Sequence, residues 1–182
     1  DNILSQMLKQ AKRMDVMISD LLKLTKLQTT SIPEKNFSPI NLKNLINELL
    51  LASKSDARKN NNKISVLNNT DVYIRGSYEE IYSAILNLLS NAIMYSGNGT
   101  LIEINYMVNN KKETLLSVQD YGVGIPKDSV GRLTERFYRV DKGRSREQGG
   151  TGLGLSIVKH IMNRHDGKLL INSSIGEGSK FS

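Results

Sequence analysis

Two asparagines, Asn87 and Asn91, stand four residues apart in the segment NLLSNAIMYS. On a helix that spacing puts both amides on one face. They interrupt an apolar pattern made by Ile81, Ala84, Ile85, Leu88 and Leu89. Amides at the edge of a buried stripe cost free energy unless they are hydrogen-bonded or hold a ligand. Either they are satisfied core asparagines, or their hard oxygens serve magnesium, which keeps several waters and shares phosphate oxygens. A second group is DYGVGIP, residues 120–126. Its glycines let the backbone approach a flat ligand, and a carboxylate at a strand end can accept from an exocyclic amine such as that of adenine. A lone DxGxG fits any turn equally well. A third, GGTGLGLS at residues 149–156, leads into a helix whose first amides favour phosphate. It is neither a P-loop nor a dinucleotide fingerprint, because GxxxxGK[ST] and GxGxxG are both absent from the chain. Between the glycine segments lies the densest basic run, Arg132, Arg136, Arg139, Lys142, Arg144 and Arg146. A long polar loop of this kind is a lid over a ligand or a solvated surface. Last, GEGSKF at residues 176–181 reads as a turn into a closing strand.

The elements that must position these groups follow from periodicity. Leu4, Met7, Ala11, Met14, Ile18, Leu21 and Thr25 alternate spacings of three and four, which predicts a helix over residues 2–28. Leu8, Met17, Leu22 and Leu24 broaden its stripe, so an intermolecular bundle is preferred over packing on its own domain. Residues 29–39 are polar with two prolines. The expected division is a helix at 1–30, a linker at 31–39 and a second domain at 40–182. In that domain Asn41 caps a helix bearing Leu42, Leu45, Ile46, Leu49 and Leu50, and Ser77 with Glu80 forms a capping-box pattern before a helix ending near Tyr95. Strands are expected at 63–67, 72–75, 101–108, 114–118 and 169–172, with a last one closing the domain. A further helix is expected at 153–164. This predicts an α+β fold, a two-layer α/β sandwich with a mixed sheet and helices on one face.

The chain has 182 residues, 38% hydrophobic, enough for one substantial core. Cysteine is absent, which excludes disulfides and thiolate metal sites. A net charge of +7 suits a phosphate-rich ligand, an anionic lipid or plain solvation. Few aromatics are interleaved with the basic residues, so no direct nucleic-acid partner is expected. No apolar run approaches the roughly 20 residues of a membrane span. The chain opens on Asp1 inside a helical pattern and closes on a strand barely begun, so a piece of a longer protein is expected.

Together, in this order and spacing, the segments resemble the ATP-binding catalytic domain of bacterial sensor histidine kinases, in the superfamily shared with the gyrase B subunit, Hsp90 and MutL. NLLSNAIMYS is similar to the family's N box, DYGVGI to its first glycine box, RFYRVD to its F box, GGTGLGL to its second glycine box and GEGSKF to its final short one. The resemblance covers residues 37–182, and residues 1–29 look like the second helix of the dimerisation and phosphotransfer hairpin. The stretch RLTERFYRVDKGRSREQGGTGLGLSIVKH is similar to phosphate-regulon sensor kinases.

The resemblance implies a Bergerat-type fold, ATP and Mg2+ as cofactors, and protein-histidine kinase activity. It makes Asn91 the principal magnesium ligand, with Asn87 in the same site. It sets Tyr95 against adenine, Asp120 as acceptor of the adenine amine, Gly122 and Gly124 as backbone helpers and Ile125 beside the base. Tyr138 and Arg139 begin the ATP lid, and Arg139 and Lys142 face the terminal phosphates. Thr151, Gly152, Leu153, Gly154 and Leu155 place backbone near the phosphates. The catalytic set is then Asn87, Arg139 and Lys142. The implied partners are a second copy through the N-terminal helix bundle and a response regulator. The implied setting is cytoplasmic, with any membrane attachment through segments ahead of Asp1. There are departures: Met94 stands where the family often has lysine, and the phosphoacceptor box is not in the sequence. His160 and His165, on and near the end of the 153–164 helix, are expected to be structural or exposed. A hydrolytic ATPase of the superfamily, which would carry glutamate at the position of Asn87, and a nucleotide-binding adaptor are the competing readings.

Overall fold

A computed structural model describes residues 2–31, 36–140 and 150–182. The chain opens with α1 (Asn2–Thr29), followed by β1 (Ser38–Asn41), α2 (Leu42–Lys59), β2 (Lys63–Val66), β3 (Tyr73–Gly76) and α3 (Tyr78–Tyr95). Then come β4 (Leu101–Val108), β5 (Thr114–Asp120), the one-turn α4 (Lys127–Val130), α5 (Gly154–Arg164), β6 (Ile171–Ser174) and β7 (Gly178–Phe181). Five strands form one sheet in the order β2-β4-β5-β7-β6, with β2 parallel to β4 and the other neighbours antiparallel. A separate ribbon pairs β1 with β3. The mixed sheet under a helical layer is the expected α+β sandwich.

Side-chain alternation makes that layering. On β4, Ile102, Ile104 and Tyr106 are buried while Glu103 and Asn105 turn to the wetter face. On α2 the buried positions Leu42, Leu45, Ile46, Leu49, Ser53 and Ala57 recur at three and four, and on α3 Ile81, Ala84, Ile85, Leu88, Leu89 and Ala92 do the same. Helix α5 buries Ile157, Val158 and Ile161. Each fully buried Leu or Ile contributes about 1.5–3 kcal/mol. The Asn41 cap, whose side chain accepts from the Asn44 amide, contributes about 1 kcal/mol, so packing and not capping holds these helices.

Two expectations need correction. β1 begins at Ser38, inside the expected linker, because Ser38 to Asn41 pair with β3 in the register Ser38↔Gly76. Pro39 is tolerated there because the ribbon has only edges. The Ser77–Glu80 capping box does not form: the Ser77 side chain makes no cap bond. Glu80 is instead gripped by Arg164, which donates from Nε and Nη2 at 3.0 Å each. The Ser77 N–H donates to His165 Nε2 at 3.0 Å. An amide nitrogen can only donate, so His165 carries its proton on Nδ1, which donates to Ile161 O at 2.8 Å. His165 is structural, as expected.

The heptad seam of α1 lies on solvent, with Leu4 74% and Met7 64% exposed. The helix packs on α5 through Leu24 and Leu27, which are buried.

Candidate nucleotide site

Asp120 ends β5 in the same alternation phase as Val118, so its carboxylate faces the helical layer. It is 3% exposed. It accepts from the Gly122 amide at 2.9 Å, and Ser179, its register partner on β7, also bonds to it. Burial holds its carboxyl above the ordinary carboxylate range, and the hydrogen bonds from Gly122 and Ser179 only partly offset that. A buried acid poised to accept from a further donor is the chemistry expected for an adenine amine.

The first glycine loop lies against the end of α3. A Cβ on Gly122 would come within 2.4 Å of Tyr95 O and 3.0 Å of Asp120 Oδ1. Gly124 has φ +69, and a Cβ there would stand 1.9 Å from Ser174 O. Its glycine is therefore required by the β6–β7 turn and not only by approach to a ligand. Ile125 donates its amide to Ser173 Oγ at 2.8 Å and packs half-buried against the core.

The second glycine loop reaches the same helix from the other side. The Cβ position of Gly154 is 2.7 Å from Asn87 Oδ1. That of Gly150 is 3.3 Å from Tyr95 Oη, 3.6 Å from Met94 Sδ and 3.7 Å from Arg139 Nη2. Gly152 is pressed on Phe137, whose amide donates to Gly152 O at 2.9 Å. Leu153 is fully buried and Leu155 half-buried, so both serve the core by side chain and the loop by backbone. The C-terminal half of α3 thus stands between the two glycine loops. A groove of about 480 Å³ between the ends of α2 and α3, lined by Asp56, Lys59, Asn60, Ser90, Ile93 and Met94, includes neither glycine loop and neither Asn91 nor Asp120.

The polar side chains divide. Asn87 Nδ2 donates to Ser83 O at 2.8 Å, while Asn91 makes no side-chain hydrogen bond among the described residues. Tyr95 is partly exposed between the loops. Arg139 has Nε and Nη2 buried with no partner among the described residues. Unpartnered buried guanidinium nitrogens are costly, and a phosphate oxygen at this place would satisfy them. The residues present fit a purine triphosphate on that ground. Arg132, another member of the basic run, is engaged elsewhere. It pairs with Glu135 at 3.2 Å and lies 4.3 Å over the Tyr138 ring, whose hydroxyl bonds to Ser129 at 3.1 Å. Lys142, Arg144 and Arg146 lie outside the described residues. His160 sits 3.2 Å from Gln28 Nε2, and burial, then Arg136 and Lys159, lower its pKa.

Sequence reasoning missed the support beneath Asp120. Ser173 Oγ donates to Gly178 O at 2.8 Å and stands 3.0 Å from Ser179 Oγ. No local pattern distinguishes these two serines from ordinary strand serines. It also missed Asp20, which accepts from Thr151 at 2.8 Å.

Residues 76–182 match the family described as histidine kinase-, DNA gyrase B-, and HSP90-like ATPase. The phosphate regulon sensor protein PhoR of Pseudomonas aeruginosa is 41% identical over 183 residues, covering 98% of this chain and 40% of that protein. Among solved structures, the catalytic domain of histidine kinase ThkA matches with a TM-score of 0.68 at 27% identity, covering 80% of this chain and 91% of that one. Full-length ShkA in complex with AMPPNP shares the fold, with a TM-score of 0.76 at 20% identity over 91% of this chain and 34% of that one. The chain spans less than half the length of the first curated relatives it matches, 40% and 46%. A buried strand-end acid, two glycine loops flanking one helix and the match over residues 76–182 agree, and the chain belongs to the histidine kinase-, DNA gyrase B- and HSP90-like ATPase family.

Proposed function

We propose that this chain is the ATP-binding catalytic part of a two-component sensor histidine kinase, transferring the γ-phosphoryl of ATP to a histidine on a dimeric helical hairpin. In this reading α1 belongs to that hairpin's second helix, and residues 40–182 are the nucleotide-binding unit. A response-regulator aspartate receives the phosphoryl group, in phosphate-starvation signalling by likeness to PhoR, and attachment to the bacterial inner membrane lies in other segments. No helix among the described residues is long and apolar enough to cross a membrane. The exposed seam of α1 suits a second copy.

The observation that carries the reading is the convergence of both glycine loops on α3 beside Asp120 and the Arg139 nitrogens that have no partner among the described residues. Asp120 would orient the adenine, Tyr95 and Ile125 would flank it, and Gly122 and Gly124 would let the backbone close on it. Amides from Thr151 to Leu155 at the start of α5, with Arg139 and Lys142, would hold the phosphates. Mg2+, held by Asn91 with Asn87 beside it, would neutralise charge between phosphate oxygens. The hydrolytic reading fares worse: an amide cannot deprotonate water, and Asn87 spends its N–H on Ser83 O.

The 182-residue chain should bind Mg-ATP and take up no acid-labile phosphate by itself, whereas the full gene product should label on a histidine outside residues 1–182. Radiolabelled ATP followed by acid and base treatment reads this, and labelling of His160 or His165 overturns it. Asn91→Ala should abolish metal dependence. Chelation should weaken wild-type nucleotide affinity about tenfold or more, roughly 1.4 kcal/mol, and leave the variant unmoved. Equal wild-type affinity with and without metal defeats the ligand assignment.

A further inference from the structure

Helix α1 carries two stripes. The seam that includes Met14, Ile18 and Leu21 is exposed. About a third of a turn away, Arg13, Met17, Asp20, Leu24 and Leu27 repeat at spacings of four and three, and these are the positions of α1 shielded from solvent. The stripe ends at a clamp. Arg164 donates from Nη1 to Leu27 O at 2.8 Å and to Thr30 O, satisfying orphan carbonyls at the helix end while its other nitrogens hold Glu80.

Asp20 is out of character in a stripe that docks Leu24 and Leu27. A shielded carboxylate needs a partner, and Thr151 provides one: its hydroxyl donates to Asp20 Oδ2 at 2.8 Å. A hydroxyl has a single hydrogen. With that hydrogen given to Asp20, Thr151 Oγ1 offers its lone pairs to the Leu153 amide, 3.3 Å away. The chain of contacts therefore runs from a carboxylate on α1, through one hydroxyl, to an amide at the start of α5.

We propose that Asp20 restrains the nucleotide site: docking of α1 through Asp20 and binding of a nucleoside triphosphate at the Thr151–Leu153 loop oppose each other. This rests on the functional reading above, which gives that loop to the phosphates. Two effects act in one direction: the Thr151 hydrogen held by Asp20 is not free to donate to a phosphate oxygen, and the Asp20 charge repels an arriving polyanion. The coupling is reciprocal: bound triphosphate loosens α1, and a loosened α1 tightens triphosphate binding. Because Arg164 grips the end of the helix separately, release at Asp20 pivots α1 and does not free it.

The test is calorimetric titration of the chain with Mg-AMPPNP, alongside amide hydrogen exchange over residues 13–27. Asp20→Ala should bind about fivefold tighter or more. Asp20→Asn, which keeps an acceptor for Thr151 but drops the charge, should fall between it and wild type. In wild type, nucleotide should accelerate exchange over residues 13–27; in Asp20→Ala exchange should be fast already and insensitive to nucleotide. A wild type that binds, with Asp20→Ala binding equally or more weakly, overturns the restraint and leaves the functional reading standing. A wild type that does not bind overturns both.

Discussion

Asp120→Asn lowers the affinity for Mg-ATP about a hundredfold, the equivalent of roughly 3 kcal/mol, and leaves the fold intact. Asp120 is buried, and its carboxylate is already served by Gly122 and Ser179. An adenine amine would add a donor to a charged acceptor in a shielded place, where such bonds are strongest. An asparagine side chain has the same shape, but half of its outer edge is an NH2 that faces the adenine donor. The nucleotide-free stability should move the other way. A carboxyl whose folded pKa is raised contributes stability that is present at low pH and is lost as pH rises through that folded pKa. Asparagine cannot ionise, so at neutral pH the variant should melt no lower than wild type. The same direction sets the wild-type pH profile: the acceptor must be ionised, so ATP affinity should fall on acidification at a pH above the ordinary aspartate range. Calorimetry reads both, and an affinity within threefold of wild type removes Asp120 from the adenine site.

Gly178→Ala should cost about 3 kcal/mol of stability, combining left-handed backbone strain with a steric clash. Gly178 has φ +95, and an added Cβ would stand 2.1 Å from Asp120 O and 2.7 Å from Tyr121 Cα. Backbone of β5 would have to retreat, carrying the Asp120 carboxylate with it, so nucleotide affinity should fall alongside stability. Gly176, two residues earlier, separates the two causes. Its φ is +82 but nothing lies within 4 Å of its Cβ position, so Gly176→Ala should cost only about 1 kcal/mol, from strain alone. Urea melts of the two variants make the comparison, and coincident midpoints would refute the clash.

The parts of the fold legible in the sequence are those whose signals are local. Asn41 caps α2 as its type and place suggest, the stripes of α2, α3 and α5 are the buried ones, and Asp120 does end a strand. What failed depends on partners far along the chain. Ser77 and Glu80 spell a capping box, but Arg164 and His165 offer Glu80 a bidentate ion pair and Ser77 an imidazole acceptor, and the long-range partners win. β1 is four residues containing a proline, invisible until β3 pairs with it. The site's outer residues were legible as glycine loops. Its floor was not, because Ser173 and Ser179 matter only through the register that sets β7 beside β5. On α1 the heptad of apolar residues was plain, yet spacing alone could not say that the docked stripe would be the one interrupted by Asp20.

The Arg164 fork has a mechanical consequence. A guanidinium is a rigid plane, and this one is fixed on one edge by both carboxylate oxygens of Glu80 and on the other by carbonyls at the end of α1. The last turn of α1 and the first turn of α3 are thereby geared together. Torsion travelling down α1 must either break the fork or turn the root of the helix that carries Asn87, Asn91 and Tyr95.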